Sequence, residues 1–272
     1  MNMLHNIDCF KLMENIDSKS IPLIVTDPPY GISFTGKTSD TSWDDIDDYQ
    51  LFIEKFLTEA KRILQDDGTI WMFCARTKIP EVFKAIENVG LQCNLENWMT
   101  YARQKGRSSK YKLKSQAEEI LHITKSNNYK FNAIEYLREC GAPYLKDGKP
   151  RGWFVDQNTG QRLRWSGVGN VLCFTSPFFK SKFEKQIHST QKPILLLTEL
   201  IMISSHPGDL VFDPFAGSGS CGVAARLSGR DFLGCEIDED MCTKANEWIN
   251  NIDYELAKEY ISSRVRIDTS DK

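Results

Sequence analysis

Val211-FDPFAGSGSCG, residues 211–222, decides the fold. An apolar strand runs into Asp213, and Gly217 and Gly219 then turn the chain into a helix. Glycines at such a turn let the backbone approach a ligand closely, and the helix N-terminus favours a negative group such as a carboxylate or phosphate. Further on, Phe232-LGCEID reads as the next strand and ends in Glu236, placed to accept hydrogen bonds from ribose hydroxyls. A glycine pattern alone also fits a purely structural turn. The acidic residue closing the following strand directs the reading to a nucleoside-containing cofactor, without selecting between NAD and S-adenosylmethionine.

Working outward, strands and helices alternate. Ile21-PLIVT is a short β-branched run that stops at Asp27-Pro28-Pro29, a buried strand followed by a loop. Residues 31–48 are polar and turn-rich, and the acidic stretch 37–48 is a candidate lid. Apolar residues from Tyr49 to Leu64 recur at helical spacing, Asp67-Gly68 is expected to close that helix, and Thr69-IWMFC follows as a strand. A helix over 79–89 closed by Gly90 and strands near 97–101 and 119–124 come next. Helices are then expected over 194–204, 222–227 and 239–250, with strands over 209–213 and 232–237. This alternation predicts an α/β fold, a mostly parallel sheet with helices on both faces. Residues 126–187 carry no sustained periodicity and read as an inserted module.

The second chemical motif is Asp27-Pro28-Pro29-Tyr30-Gly31 at a strand end. Two prolines remove two backbone donors and fix φ, which leaves the carbonyls of Asp27 and Pro28 as free acceptors in a rigid turn. A carboxylate, fixed carbonyls and an aromatic ring then converge. That set suits a planar group bearing an amine, with Tyr30 on its face and oxygens accepting its N–H bonds. Drawing those hydrogens out of plane aims the nitrogen lone pair at an electrophile.

The chain has 272 residues, a formal net charge of −3, 41% hydrophobic and 26% charged residues. These values are those of a globular protein and exclude a disordered or collagen-like chain. Charge is segregated: residues 100–192 hold 18 Lys+Arg against 7 Asp+Glu, and the remainder 16 against 30. The densest run, Tyr101-ARQKGRSSKYKLK, contains no acid. A basic segment in an acidic protein suits a polyanion contact, because neutralised phosphates release condensed counterions. The interleaved aromatics suit base stacking as well as a small core. Eight cysteines form no CxxC pair and no zinc-like spacing, so buried thiols in a reducing compartment and no metal are expected. No apolar stretch is long enough for a bilayer span, and Met1-NMLHNIDCF lacks signal-peptide order, so a cytoplasmic protein off the membrane is expected.

With DPPY first, then FDPFAGSG and GCEID, the chain resembles the amino-methyltransferases of DNA, and the motif order resembles their permuted β class. Ile7-Asp8-Cys9, Trp43-Asp44, the helix to Arg62-IL, Asp67-GTIW, Glu118-EIL and His188-STQKP agree along nearly the whole length. The resemblance implies a Rossmann-like methyltransferase sheet with circularly permuted motif order. It implies a catalytic half over 1–125, a target-recognition insert over 126–187 and a cofactor-binding half over 188–272. By the same resemblance Asp27, Pro28, Pro29 and Tyr30 are catalytic, the first two as acceptors from the target amine and Tyr30 as the stacking ring.

The implied cofactor is S-adenosyl-L-methionine. Asp8 and Cys9 would lie at its adenine, Glu236 and Ile237 at the ribose side, and Asp213, Pro214, Phe215, Gly217, Ser218 and Gly219 along the turn. Asp27, Thr190 and Lys192 would approach the methionine part. Double-stranded DNA is the implied substrate, gripped by Arg103, Lys105, Arg107, Lys110 and Lys112 in the basic run and by Arg151, Arg162 and Arg164 in the insert, toward bases or phosphates. A homodimer and a cognate restriction enzyme are the further partners, in a bacterial or phage setting. DPPY points to adenine N6, with cytosine N4 as the alternative, since a serine in place of Asp27 is commoner among cytosine-N4 enzymes. An inactive DNA-binding module is a third reading, opposed by the intact Asp27, Tyr30 and glycine turn.

Overall fold

The computed structural model describes residues 2–31, 46–102, 110–111, 113–114, 116–139, 145–146, 149–150, 153–155, 157, 160–173, 187, 191–263 and 265–267. The first half comprises β1 (Asn2–Asn6), α1 (Cys9–Glu14), β2 (Ile21–Thr26), α2 (Tyr49–Ile63), β3 (Leu64–Cys74), α3 (Ile79–Val89), β4 (Gln92–Cys93), β5 (Met99–Ala102) and β6 (Ala117–Thr124). Short strands follow: β7 (Ile134–Glu139), β8 (Leu145–Lys146), β9 (Lys149–Pro150), β10 (Trp153–Val155), β11 (Arg162–Gly167) and β12 (Val171–Cys173). The chain continues with α4 (Ile194–Ser204), β13 (Leu210–Asp213), α5 (Ser220–Leu227), β14 (Asp231–Glu236), α6 (Glu239–Asn251), α7 (Tyr254–Ser262) and β15 (Val265–Ile267).

The central sheet has the order β1-β14-β13-β2-β3-β6-β5-β12, with β4 also on β6. Its strands from β1 to β3 are parallel, and β6 runs antiparallel to both β3 and β5. Strand period two divides the core in two. Leu23, Val25, Trp71 and Phe73 face α4, α5 and α6, whereas Ile24, Ile70 and Met72 face α2 and α3. From β2 the chain winds outward to β3, and from β13 it winds the opposite way to β14. The carboxyl ends of β2 and β13 therefore flank a topological switch point, where open α/β sheets place their ligands.

Several expected boundaries move. Helix α2 ends at Ile63, because the next residue, the wholly buried Leu64, turns to extended backbone at φ −66° and ψ 137°. Asp67 and Gly68 thus lie inside β3 rather than closing the helix. A Cβ at Gly68 would sit 2.8 Å from Leu64 Cδ1 and 2.9 Å from the Pro22 carbonyl, so this crossing requires glycine. Gly90 does close α3, at φ +71°. Strand β1 and helices α1 and α7 stand where no element was expected.

The stretch read as an unpatterned insert holds antiparallel strands. Its small sheet has the order β10-β11-β7-β15, the last strand being supplied from the far C-terminal region. Strand β12, also within that stretch, instead joins the central sheet beside β5. No helix among the described residues is long and apolar enough to cross a membrane.

Candidate active site

Both chemical motifs meet at the switch point. Thr26 Oγ1 donates to Asp213 Oδ1 at 2.8 Å, and the Phe215 backbone N–H donates to the same oxygen at 3.1 Å. The residue preceding Asp27 is thereby tied to the first turn of the glycine loop. Phe215 anchors that loop from the other side, its ring centroid 5.9 Å from Phe52 and 5.5 Å from Phe56 on α2. Phe215 therefore contributes packing of the turn.

Burial pushes the Asp213 carboxyl up to about 7, against the opposing pull of its bonds from Thr26 and Phe215. The sign follows from the unfolded value of 3.8. A raised acid favours folding in its neutral form, so its contribution is complete below the unfolded value and is lost as pH rises through about 7. Asp213→Asn keeps an acceptor oxygen without the charge. Its unfolding midpoint, followed by circular dichroism from pH 4 to 8, is expected to gain on wild type toward the alkaline end. Parallel profiles would show that Asp213 is not the titrating group.

The cradle beside this turn is built from strand ends. Glu236, at the end of β14, accepts the Gly217 N–H at 2.9 Å on Oε2 and the Asp238 N–H at 3.0 Å on Oε1. Each oxygen keeps a lone pair, so the carboxylate can still accept a ribose diol. Burial raises its pKa, opposed by those backbone N–H groups. Gly217 has φ +49°, and a Cβ there would meet nothing within 4 Å, so its outer side is open cleft. Ile237 follows with 65% exposure, an apolar surface beside the acid.

Asp8 closes β1 next door, and Asn6 Nδ2 donates to the Glu236 and Ile237 carbonyls, both at 3.0 Å. One Asp8 oxygen caps α1 by accepting from the Phe10 and Lys11 N–H groups, and Cys9 is buried beneath it. Two acids, an open glycine and an exposed isoleucine on adjacent strand ends fit an adenosine-bearing group. Pro214 lends its carbonyl to Cys235 Sγ at 3.2 Å, and the Ser218 and Ser220 hydroxyls bond at 2.9 Å, so these positions hold the loop's shape.

At the end of β2, Tyr30 donates its hydroxyl to Asp27 Oδ1 at 2.6 Å, and Lys192 donates to Oδ2. Lys192, expected at the methionine part, thus lies against the catalytic candidate itself. Its ammonium is also 3.4 Å from Glu118 Oε2, and 4.9 Å and 5.9 Å from the ring centroids of Phe73 and Tyr30. Burial raises the Asp27 pKa, Lys192 opposes that, and Glu118 adds to it. Burial alone would lower Lys192, but Asp27 and Glu118 override it and hold the ammonium protonated. Tyr30 is held well above its ordinary value by burial and then by Asp27, so it remains a neutral donor. Burial raises the nearby Cys74 thiol to about 12, which leaves it un-ionised and unsuited to nucleophilic catalysis.

Of the residues named from sequence, Asp27, Pro28, Tyr30, Lys192, Asp213 and the glycine turn converge at one edge, with Asp8 and Glu236 beside them. Lys110, Arg162 and Arg164 are exposed, the last two on β11 of the small sheet. Thr190, His188, Trp43, Asp44, Arg103, Lys105, Arg107, Lys112 and Arg151 lie outside the described residues, as does 37–45 of the expected lid. Two residues gained their place only from the structure. Thr26 joins the motifs, and Glu118 reaches the site because antiparallel β6 begins where β3 ends. A sequence signal for Glu118 existed: two consecutive glutamates open a strand that is otherwise apolar apart from its histidine and closing threonine.

The N6/N4 methyltransferase family model, described as DNA methylase, matches residues 21–247. The type II methyltransferase M1.MboII of Moraxella bovis is 30% identical over 270 residues, covering 93% of this chain and 98% of its own. The type II methyltransferase M.HpaI of Haemophilus parainfluenzae is 29% identical, covering 90% of this chain and 73% of its own. Among solved structures, an M1.HpyAVI–SAM complex superposes with a TM-score of 0.61 at 20% identity, over 92% of this chain and all of its own. The cytosine-N4-specific PvuII DNA methyltransferase superposes with a TM-score of 0.64 at 16% identity, over 95% of this chain and 89% of its own. Both superpositions show the shared α/β fold.

Proposed function

The chain belongs to the N6/N4 DNA methylase family, and from that premise we propose that it methylates adenine N6 at a specific site in duplex DNA. One observation carries the reading. The Thr26–Asp213 bond locks the amine-binding DPPY turn beside the cofactor cradle, at the switch point of the sheet. The cofactor is S-adenosylmethionine, which supplies a methyl group on a cationic sulfur. Glu236 and Asp8 hold its nucleoside end, and the order of DPPY before the glycine turn matches the permuted β arrangement.

The target base leaves the duplex, at a cost of a few kcal/mol, and stacks on Tyr30. Asp27 and the Pro28 carbonyl accept hydrogen bonds from the two amine N–H groups, which localises the nitrogen lone pair and stabilises the positive charge that grows there. Aspartate at position 27 supports adenine over cytosine. The small sheet supplies target recognition: its register places Arg164 opposite both Arg138 and Trp153. Arg162 and Arg164, exposed on β11, can contact DNA phosphates or base edges. A homodimer, a cognate restriction enzyme and a cytoplasmic bacterial or phage setting complete the proposal.

The test is to incubate the protein with S-adenosylmethionine and unmethylated duplex DNA, digest to nucleosides and identify products by mass spectrometry. N6-methyladenine is expected. N4-methylcytosine would keep the site and overturn the base.

A further inference from the structure

The DPPY aspartate is not alone in its pocket, and both of its charged neighbours are buried. Lys192 and Glu118 have side chains only 8% and 10% exposed. They come from distant parts of the fold: Lys192 from the segment entering α4, Glu118 from the first turn of pairing in β6. Burying Lys192 and Glu118 beside the partly exposed Asp27 is costly unless the charges are matched in place. The fold nonetheless brings them to one spot at the active edge of the sheet. The ammonium spans two carboxylates, bonded to Asp27 Oδ2 and 3.4 Å from Glu118 Oε2.

We propose that Lys192 and Glu118 are positioning residues that set the ionisation of Asp27 from opposite sides, through one shared ammonium. The proposal rests on Asp27 being the acceptor of the target amine. Lys192 fixes the direction of the carboxylate, since one oxygen is turned to the ammonium and the other to the Tyr30 hydroxyl. It also opposes the rise that burial imposes on the Asp27 carboxyl, and so favours its ionised, acceptor-only form. Glu118 has two effects. It anchors the ammonium from behind, and it makes the net charge of the three groups negative. A negative site favours the cationic nitrogen that forms as the amine gains a methyl group. Alone, Lys192 would offset the formal charge of Asp27; Glu118 brings the formal charge of the three groups to −1.

Among the described residues, the charged and titratable groups around Asp27 are few. Lys192 and Glu118 face it from the segment before α4 and from β6, and Tyr30 from its own loop. Cys74 on β3 and Asp213 on β13 also feel its charge. Cys74 is neutral, and Asp213 is common to every variant below, so opposite displacements of Asp27 identify the two partners.

The test uses the full chain with [4-13C]aspartate, the Asp27 carboxyl signal being assigned by its absence in Asp27→Asn. Its titration is followed by NMR in wild type, Lys192→Gln and Glu118→Gln, and the acid limb of the kcat–pH profile is measured in parallel. Loss of the neighbouring cation is expected to raise the Asp27 midpoint by about one pH unit or more, and loss of the neighbouring anion to lower it. The acid limb moves in the same two directions. Lys192→Arg, which keeps the charge, is expected to restore the wild-type midpoint, and it serves if Lys192→Gln fails to fold. Midpoints that stay fixed, or move together in one direction, would overturn the proposal and leave the two residues as structural. The NMR titration needs no DNA: the opposite displacements together with no methyl transfer to DNA would reject the proposed function and keep this inference.

Discussion

Asp27→Ala is expected to lower kcat for methyl transfer to DNA by about 10³-fold, the scale of losing a group aimed at developing charge. Affinity for S-adenosylmethionine is expected to stay within about 3-fold, because an interaction made only in the transition state leaves ground-state binding unchanged. The split follows from geometry. Asp27 lies at the end of β2 against Tyr30 and Lys192, whereas the proposed cofactor cradle of Glu236, Gly217 and Asp8 lies by the ends of β14, β13 and β1. Truncation leaves Lys192 beside Glu118, so the ammonium keeps a counter-charge and the fold survives. Asp27→Asn retains an acceptor oxygen but loses the charge, and it is expected to fall between the two. Isothermal titration of cofactor binding beside steady-state transfer reads both quantities. A matching loss of cofactor affinity in Asp27→Ala would move Asp27 from the amine to the cofactor.

Gly219→Val and Gly217→Val, two residues apart, are expected to fail in different ways. Gly219 sits at φ +79°, and a Cβ there would come within 2.9 Å of Ala245 Cβ and 3.1 Å of Ile249 Cδ1 on α6. Backbone strain and overpacking each cost about 1–3 kcal/mol, so Gly219→Val is expected to lose about 3 kcal/mol or more. In a chain of this size that lowers Tm by roughly 6 °C or more. Gly217 shares the left-handed backbone at φ +49°, but a side chain there points into open cleft. Its variant is expected to keep more of its stability and to lose cofactor affinity by about 100-fold, the consequence of occupying the approach to Glu236. Differential scanning fluorimetry with and without cofactor separates the two. Equal stability losses with equal cofactor response would contradict the assignment of separate inner and outer faces to this turn.

The central sheet was legible where strands are buried on both faces. Ile21-PLIVT, Thr69-IWMFC and Phe232-LGCEID are apolar runs ended by turn signals; the first is β2 to the residue, and the other two are strands with only their bounds altered. Periodicity failed where burial is one-sided or partial. β1 is a short edge strand of mixed residues, Asn2-MLHN, with nothing in its pattern to mark it. In β11 the burial alternates over Arg162-LRWSG, but the exposed arginines and short length conceal it. β15 is paired only through a strand more than a hundred residues earlier, a partnership that no local pattern can carry.

The site divides in the same way. Asp27, Tyr30, Gly217 and Glu236 were readable because each sits where a strand meets its turn, and turn chemistry is local. Glu118 and Thr26 act through partners 74 and 187 residues away in the chain. Their roles exist only once β6 has reversed against β3 and β13 has paired beside β2. Lys192 was named from its motif, but its neighbour was not, because no sequence spacing states which carboxylate a buried ammonium will meet.

The most direct test of the account supplies methyl-labelled S-adenosylmethionine to the purified protein with unmethylated duplex DNA, and separately with RNA and with protein acceptors. Label is expected in duplex DNA, and in neither of the other acceptors. Tight cofactor binding with no label in DNA, or label in RNA or protein instead, would contradict it.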